Sequence, residues 1–138
     1  MKKTPPIHPQ VAVGHVHLKV ADLDRAVNFY AGVLGFEVQQ RFGAQAAFLS
    51  AGGYHHHLGL NTWESAGGSP PPPHSTGLYH VAFLYPTRAL LADAVRRVLA
   101  AGVELYRDRP PAQWPRTPAG ELAMFTRALD LAGLLAEA

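Results

Sequence analysis

Residues 13–20, VGHVHLKV, alternate apolar and polar positions and are rich in valine, which is the pattern of a half-buried strand. Asp22 then offers an N-cap. Leu23, Ala26, Val27, Tyr30 and Leu34 recur at helical spacing as far as Gly35, a suitable residue to end the helix. Three more strand-like stretches follow: FEVQQRF (36–42), QAAFLSA (45–51) and HHHLGLNTW (55–63). Gly43 and the pair Gly52-Gly53 separate them as hairpin turns would. The first part of the chain therefore predicts β-α-β-β-β.

Residues 64–77, ESAGGSPPPPHSTG, have the composition of a linker, and four consecutive prolines favour a stiff polyproline-II spacer. Beyond it the pattern restarts. LYHVAFLY (78–85) predicts a strand, and Pro86-Thr87 opens a helix with Leu91, Val95 and Val98 on one face and Gly102 at its end. His15 stands seven residues before Asp22, and His80 stands seven residues before Thr87. Val16 matches Val81 and Leu18 matches Phe83. This is an internal repeat of one supersecondary unit. If the copies pair about a pseudo-twofold axis, their first strands lie side by side and His15 faces His80.

The second copy is shorter. VELYRD (103–108) follows Gly102 directly, and RPPAQWPRTPAG after it is too rich in proline to form central strands. The chain therefore reads as one α+β domain over residues 1–138. Module one covers about 11–63, the linker 64–77, module two about 78–108 and a C-terminal extension 109–138. The paired modules would form an open mixed sheet, a half-barrel cavity, with the second module short of two strands. Two origins fit the shortfall. One is a true truncation, with an opened barrel or strands borrowed from a partner. The other is a sequence joined across a loop that is not written out.

Composition narrows the chemistry. The 138 residues are 48% hydrophobic and 16% charged, as expected of a globular domain with a real core. The formal net charge of +2 comes with interspersed acidic residues, which argues against a nucleic-acid binder. The absence of cysteine excludes disulfides, thiolate metal sites and cysteine nucleophiles. No apolar run is long enough to span a membrane, and Met1-Lys2-Lys3 is not followed by the apolar stretch of a signal peptide, so a cytoplasmic location is expected. Eight histidines remain, and any transition-metal chemistry falls to them and to carboxylates.

GHVHLKVADLDRAVNFYAGVLGFEV closely resembles the opening of vicinal oxygen chelate proteins, the superfamily of glyoxalases, bleomycin and fosfomycin resistance proteins and extradiol dioxygenases. AAFLSAGGYHHHLGLNTWES, GLYHVAFLYPTRALLADAVRRVLAAG and VELYRDRP look like a single-domain group of ring-cleaving dioxygenase-like members. The resemblance implies metal ligands from the first strand of each module, His15 and His80, and a carboxylate from the last strand of the second, Glu104. Two histidines and one carboxylate make the facial triad of non-haem Fe(II), although Mn(II), Zn(II) and Ni(II) also accept such ligands.

In the extradiol branch a histidine in a pattern like HHHLGL (55–60) acts as acid-base catalyst, and His56 falls on that position. In the glyoxalase branch the same strand carries a fourth metal ligand, matched by His57. Strict strand alternation sends His55 and His57 to one face and His56 to the other, so His56 and His57 should not both reach the site. His17 shares the face of His15, and Asn61 and Tyr106 are further candidates for a substrate pocket. The resemblance implies a metal-dependent extradiol-type dioxygenase acting on a catecholic substrate and O2. A four-ligand glyoxalase-like lyase and a non-catalytic binding protein of the bleomycin-resistance type are the alternatives. An incomplete second module leaves sheet edges that favour a homodimer.

Overall fold

The computed structural model describes residues 4–72, 74–78 and 81–102. It contains an open mixed sheet of four strands: β1 (Val16–Lys19), β2 (Glu37–Phe42), β3 (Ala46–Ser50) and β4 (Leu58–Asn61). Their order across the sheet is β1-β4-β3-β2. β1 pairs with β4 in parallel, whereas β4–β3 and β3–β2 are antiparallel. The helix α1 (Leu23–Val27) joins β1 to β2, and a second helix, α2 (Arg88–Ala100), follows the linker. This is the open α+β sheet that the hydrophobic pattern predicts for the first module.

The Asp22 side chain accepts a hydrogen bond from the Arg25 backbone N–H at 3.0 Å, which caps α1 as expected. The helix does not stay α-helical to its end. Residues Asn28–Val33 widen into a π-helical stretch, with the Leu34 N–H donating to the Phe29 carbonyl at 3.0 Å. Leu23, Ala26, Val27 and Tyr30 still form one buried stripe. They pack on Ala47, Leu49, Leu58 and Leu60 from the sheet, with Val16 and Leu18 at the margin. This core occupies one face of the sheet. Alternation along the strands leaves the opposite face to His17, Phe48 and Gly59.

The Thr87 side chain caps α2 by accepting from the Leu90 N–H at 3.3 Å. Ala92, Ala94, Val95 and Val98 are buried along it. Phe83 packs against the core of the first module, its ring 5.0 Å from that of Phe36. Residues 81–85 show the expected alternation, with Val81, Phe83 and Tyr85 half-buried and Ala82 and Leu84 exposed. They form no ladder among the described residues, so the period of a strand is present without the pairing that makes one. Residues 103–138, with the candidate ligand Glu104 and with Tyr106, lie outside the described residues, as does His80. No helix among the described residues is long and apolar enough to cross a membrane.

Leu60 is fully buried between α1 and the sheet, whereas Leu90 on α2 is 50% exposed. Leu60→Ala is expected to cost about 2–5 kcal/mol through lost burial and the cavity it leaves. Leu90→Ala should cost about 0.5 kcal/mol or less. Urea unfolding checks this: the Leu60→Ala midpoint should fall clearly and the Leu90→Ala midpoint should barely move. Equal losses would contradict the placement of the core.

Candidate metal and acid-base site

The open face of the sheet is organised by the parallel pairing of β1 and β4. His17 lies opposite Gly59, and Gly59 lies opposite Phe48 on β3. A Cβ added to Gly59 would sit 2.9 Å from His17 Cγ, so only glycine leaves room for the imidazole to lie across β4 at this point. The His17 ring is 5.9 Å from Phe48 and 5.6 Å from Trp63. These rings form an aromatic row beside His15, which immediately precedes β1.

The histidine triplet is not part of β4. The strand begins at Leu58, after the turn at Gly52-Gly53, where both residues have positive φ (65° and 73°), and an irregular approach through residues 54–57. The alternation expected over 55–63 therefore applies only from Leu58 onward. The backbone explains the break. His57 N–H donates to the Leu49 carbonyl at 2.8 Å, and the His57 carbonyl accepts from Val16 N–H at 3.0 Å. This pins the residue between β3 and β1. His55 and His56 precede that anchor and are free of the pleat.

The outcome for the side chains differs from the alternation. The rings of His55 and His56 both turn toward His15. His15 and His56 have ring centroids 4.4 Å apart, His55 and His56 4.4 Å, and His15 and His55 6.2 Å. One ring nitrogen from each of the three can be chosen so that all lie within 4.8 Å of one another. His56 also packs on Phe48 at 5.0 Å. His57 is not part of this group: its Nδ1 accepts the Ala51 N–H at 3.2 Å and its ring lies 4.7 Å from Tyr54, whose ring also packs on His55 at 4.3 Å. The described residues thus bring His15, His55 and His56 together, with His17 on the same face, and leave His57 tied to the β3–β4 turn.

Asn61 is buried in the row of Lys19 and Ala46, and its Oδ1 accepts the Trp63 N–H at 3.2 Å. Its side chain therefore fixes the chain leading to Trp63. Sequence reasoning did not single out Trp63, Phe48 or His55. Trp63 was legible in the period of two that runs Gly59, Asn61, Trp63. Phe48 could have been found from the spacing of β3, once Ala47 and Leu49 are assigned to the core. His55 carried no such signal, because its direction depends on where the strand starts.

Burial pushes the His56 imidazole below its ordinary value of 6.5, and the neighbouring rings of His15, His55, His17 and His57 push it the same way. The cluster is built wholly of imidazoles, and His56 is the one its neighbours hold toward the neutral form. Neutral imidazole is the form that binds a divalent metal or accepts a proton, so the donor chemistry fits both uses.

The sign of the linkage follows. Between the lowered folded value and 6.5 the unfolded chain binds more protons at His56 than the folded protein does. This residue's contribution therefore falls as pH drops through that window and is constant below it. An NMR titration of the histidine rings should place the His56 midpoint below 6.5, and His15→Ala should move it back upward. A midpoint at or above 6.5 would contradict the packing described.

Comparison with known proteins agrees with this architecture. Residues 12–125 match the Glyoxalase/Bleomycin resistance protein/Dioxygenase superfamily. The chain is 42% identical over 94 residues to a catechol-2,3-dioxygenase of Bacillus subtilis (strain 168), an alignment covering 67% of this chain and 33% of that protein. The chain thus matches about a third of the length of that relative. Among solved structures, lactoylglutathione lyase from Agrobacterium tumefaciens superposes with a TM-score of 0.57 at 23% identity, covering 83% of this chain and 91% of that one. The latter likeness is one of fold. With its open βαβββ sheet and a matched span that takes in most of its length, the chain belongs to the glyoxalase, bleomycin resistance protein and dioxygenase superfamily.

Proposed function

We propose that this protein is an Fe(II)-dependent extradiol-type dioxygenase that cleaves the ring of a catecholic substrate. The observation that carries the reading is the approach of the His56 ring to within 4.4 Å of that of His15, with burial and like charges holding His56 toward its neutral form. On this reading His15, His80 and Glu104 hold the metal. Iron bound there would supply adjacent coordination positions for the vicinal oxygens of a catechol and for O2.

The chain's own residues do the rest. Neutral His56 accepts a phenolic proton from the substrate and returns it as the ring opens. Burial and the neighbouring imidazoles push it below its ordinary value, which favours the neutral form that can act as a base when substrate arrives. His17, flanked by Phe48 and Trp63, forms a wall against which an aromatic ring can lie, and Tyr106 is a further candidate for that wall. Asn61 positions this wall through its bond to the backbone of Trp63. The likeness to a catechol-2,3-dioxygenase supports the substrate class. The protein would work in the cytoplasm. Leu84, 97% exposed in the second module, favours a homodimer that would cover it.

The glyoxalase-like alternative needs His57 as a fourth ligand. Against it, one nitrogen of His57 is occupied by the Ala51 N–H and its ring stacks beside Tyr54. A purely ligand-sheltering protein of the bleomycin-resistance type has no use for a converging histidine set.

The full chain, loaded with Fe(II) without oxygen and then given catechol or 2,3-dihydroxybiphenyl in air, should form a yellow ring-cleavage product. His56→Ala should retain iron and lose roughly 10²- to 10⁴-fold in turnover, the usual worth of a positioned acid-base group. His15→Ala should lose the iron itself. Iron-loaded protein that turns over no catechol would overturn the reading.

A further inference from the structure

Family resemblance gives no role to His55, and strand alternation would have turned it away from His56. The structure instead sets its ring 4.4 Å from that of His56, with nitrogens of His15, His55 and His56 mutually within 4.8 Å. All three imidazoles come from the first module. None depends on His80 or Glu104.

Three imidazole nitrogens with one position left open suit Zn(II), Ni(II) or Cu(II). Nitrogens bound to one such ion at about 2.1 Å lie roughly 3.4 Å apart in a tetrahedral arrangement. The three rings must therefore draw in by about an ångström or somewhat more from the 4.8 Å spread. His15 and His55 are exposed and His56 is half-buried, so side-chain rotation can supply that closure.

We propose that His15, His55 and His56 form a second cation site, complete within the first module, for a borderline divalent ion such as Ni(II) or Zn(II). His15 belongs both to this set and to the proposed iron set, and His56 is the proposed acid-base group, so one ion excludes the other. The exclusion, though not the site itself, rests on the dioxygenase reading. Nitrogen-rich sites bind Ni(II) and Cu(II) more tightly than Fe(II). A borderline cation in the three-histidine site would then hold the enzyme in an inactive form until it is removed.

The test removes the iron set and asks whether the second site survives. In the full chain carrying His80→Ala and Glu104→Gln, with folding checked by circular dichroism, calorimetric titration with Ni(II) should show one tight equivalent. Adding His55→Ala to that background should weaken Ni(II) binding by at least about tenfold. Adding His57→Ala instead should leave it within about threefold, below the loss expected of a true ligand. Absence of Ni(II) binding in the double variant overturns the proposal, and so does binding that is indifferent to His55→Ala.

If the double variant does not fold, substoichiometric Ni(II) added to the His80→Ala single variant, whose iron set lacks a ligand, should broaden the ring signals of His15, His55 and His56 together. Broadening that spares His55 overturns the proposal. None of these outcomes depends on catechol turnover, so failure here leaves the dioxygenase reading to its own test.

Discussion

The parallel ladder between β1 and β4 is the constraint on which the site depends. It is closed at one end by the His57 carbonyl accepting from Val16 N–H and at the other by the Asn61 carbonyl accepting from Val20 N–H. Within it, His17 faces Gly59 and Leu18 faces Leu60. A shift of one residue would exchange the two faces, burying imidazoles against α1 and exposing leucines. The core on one face therefore sets the histidines on the other. Ala47, Leu49, Leu58 and Leu60 are all fully buried, and that burial holds the register.

Much of the first module was legible from its pattern. The strands β2 and β3 fall almost where alternation puts them, and Asp22 and Thr87 cap their helices as their side-chain chemistry predicts. The departures share a cause. Whether an apolar-alternating stretch becomes a strand depends on a hydrogen-bonding neighbour, which a single segment does not reveal. Residues 55–57 have the composition to continue β4 backward, yet the double glycine turn and the anchored His57 leave them irregular. Residues 81–85 alternate correctly and remain unpaired among the described residues. The grouping of His55 with His56 followed from the first of these departures, and so no period could foretell it.

The electrostatics of the cluster connect the two uses proposed for it. Partial desolvation of the half-buried His56, and after it the neighbouring rings of His15, His55, His17 and His57, disfavour its protonation. A group kept neutral in this way is prepared to take a proton or to bind a cation. On the two proposals, one geometry would serve acid-base chemistry with iron in the set shared between modules and would offer a competing site to another ion. His15 is exposed, so it would be open to a substrate and to a competing ion alike.

The central claim is that the triplet divides, with His56 turned to His15 and His57 turned to Tyr54. Nuclear Overhauser contacts between ring protons in the metal-free protein test it most directly. Rings whose centroids lie 4.4 Å apart (His15 and His56) and 4.7 Å apart (Tyr54 and His57) should each give a cross-peak, as should His56 with Phe48 at 5.0 Å. A His15–His57 cross-peak without one between His15 and His56 would contradict the account.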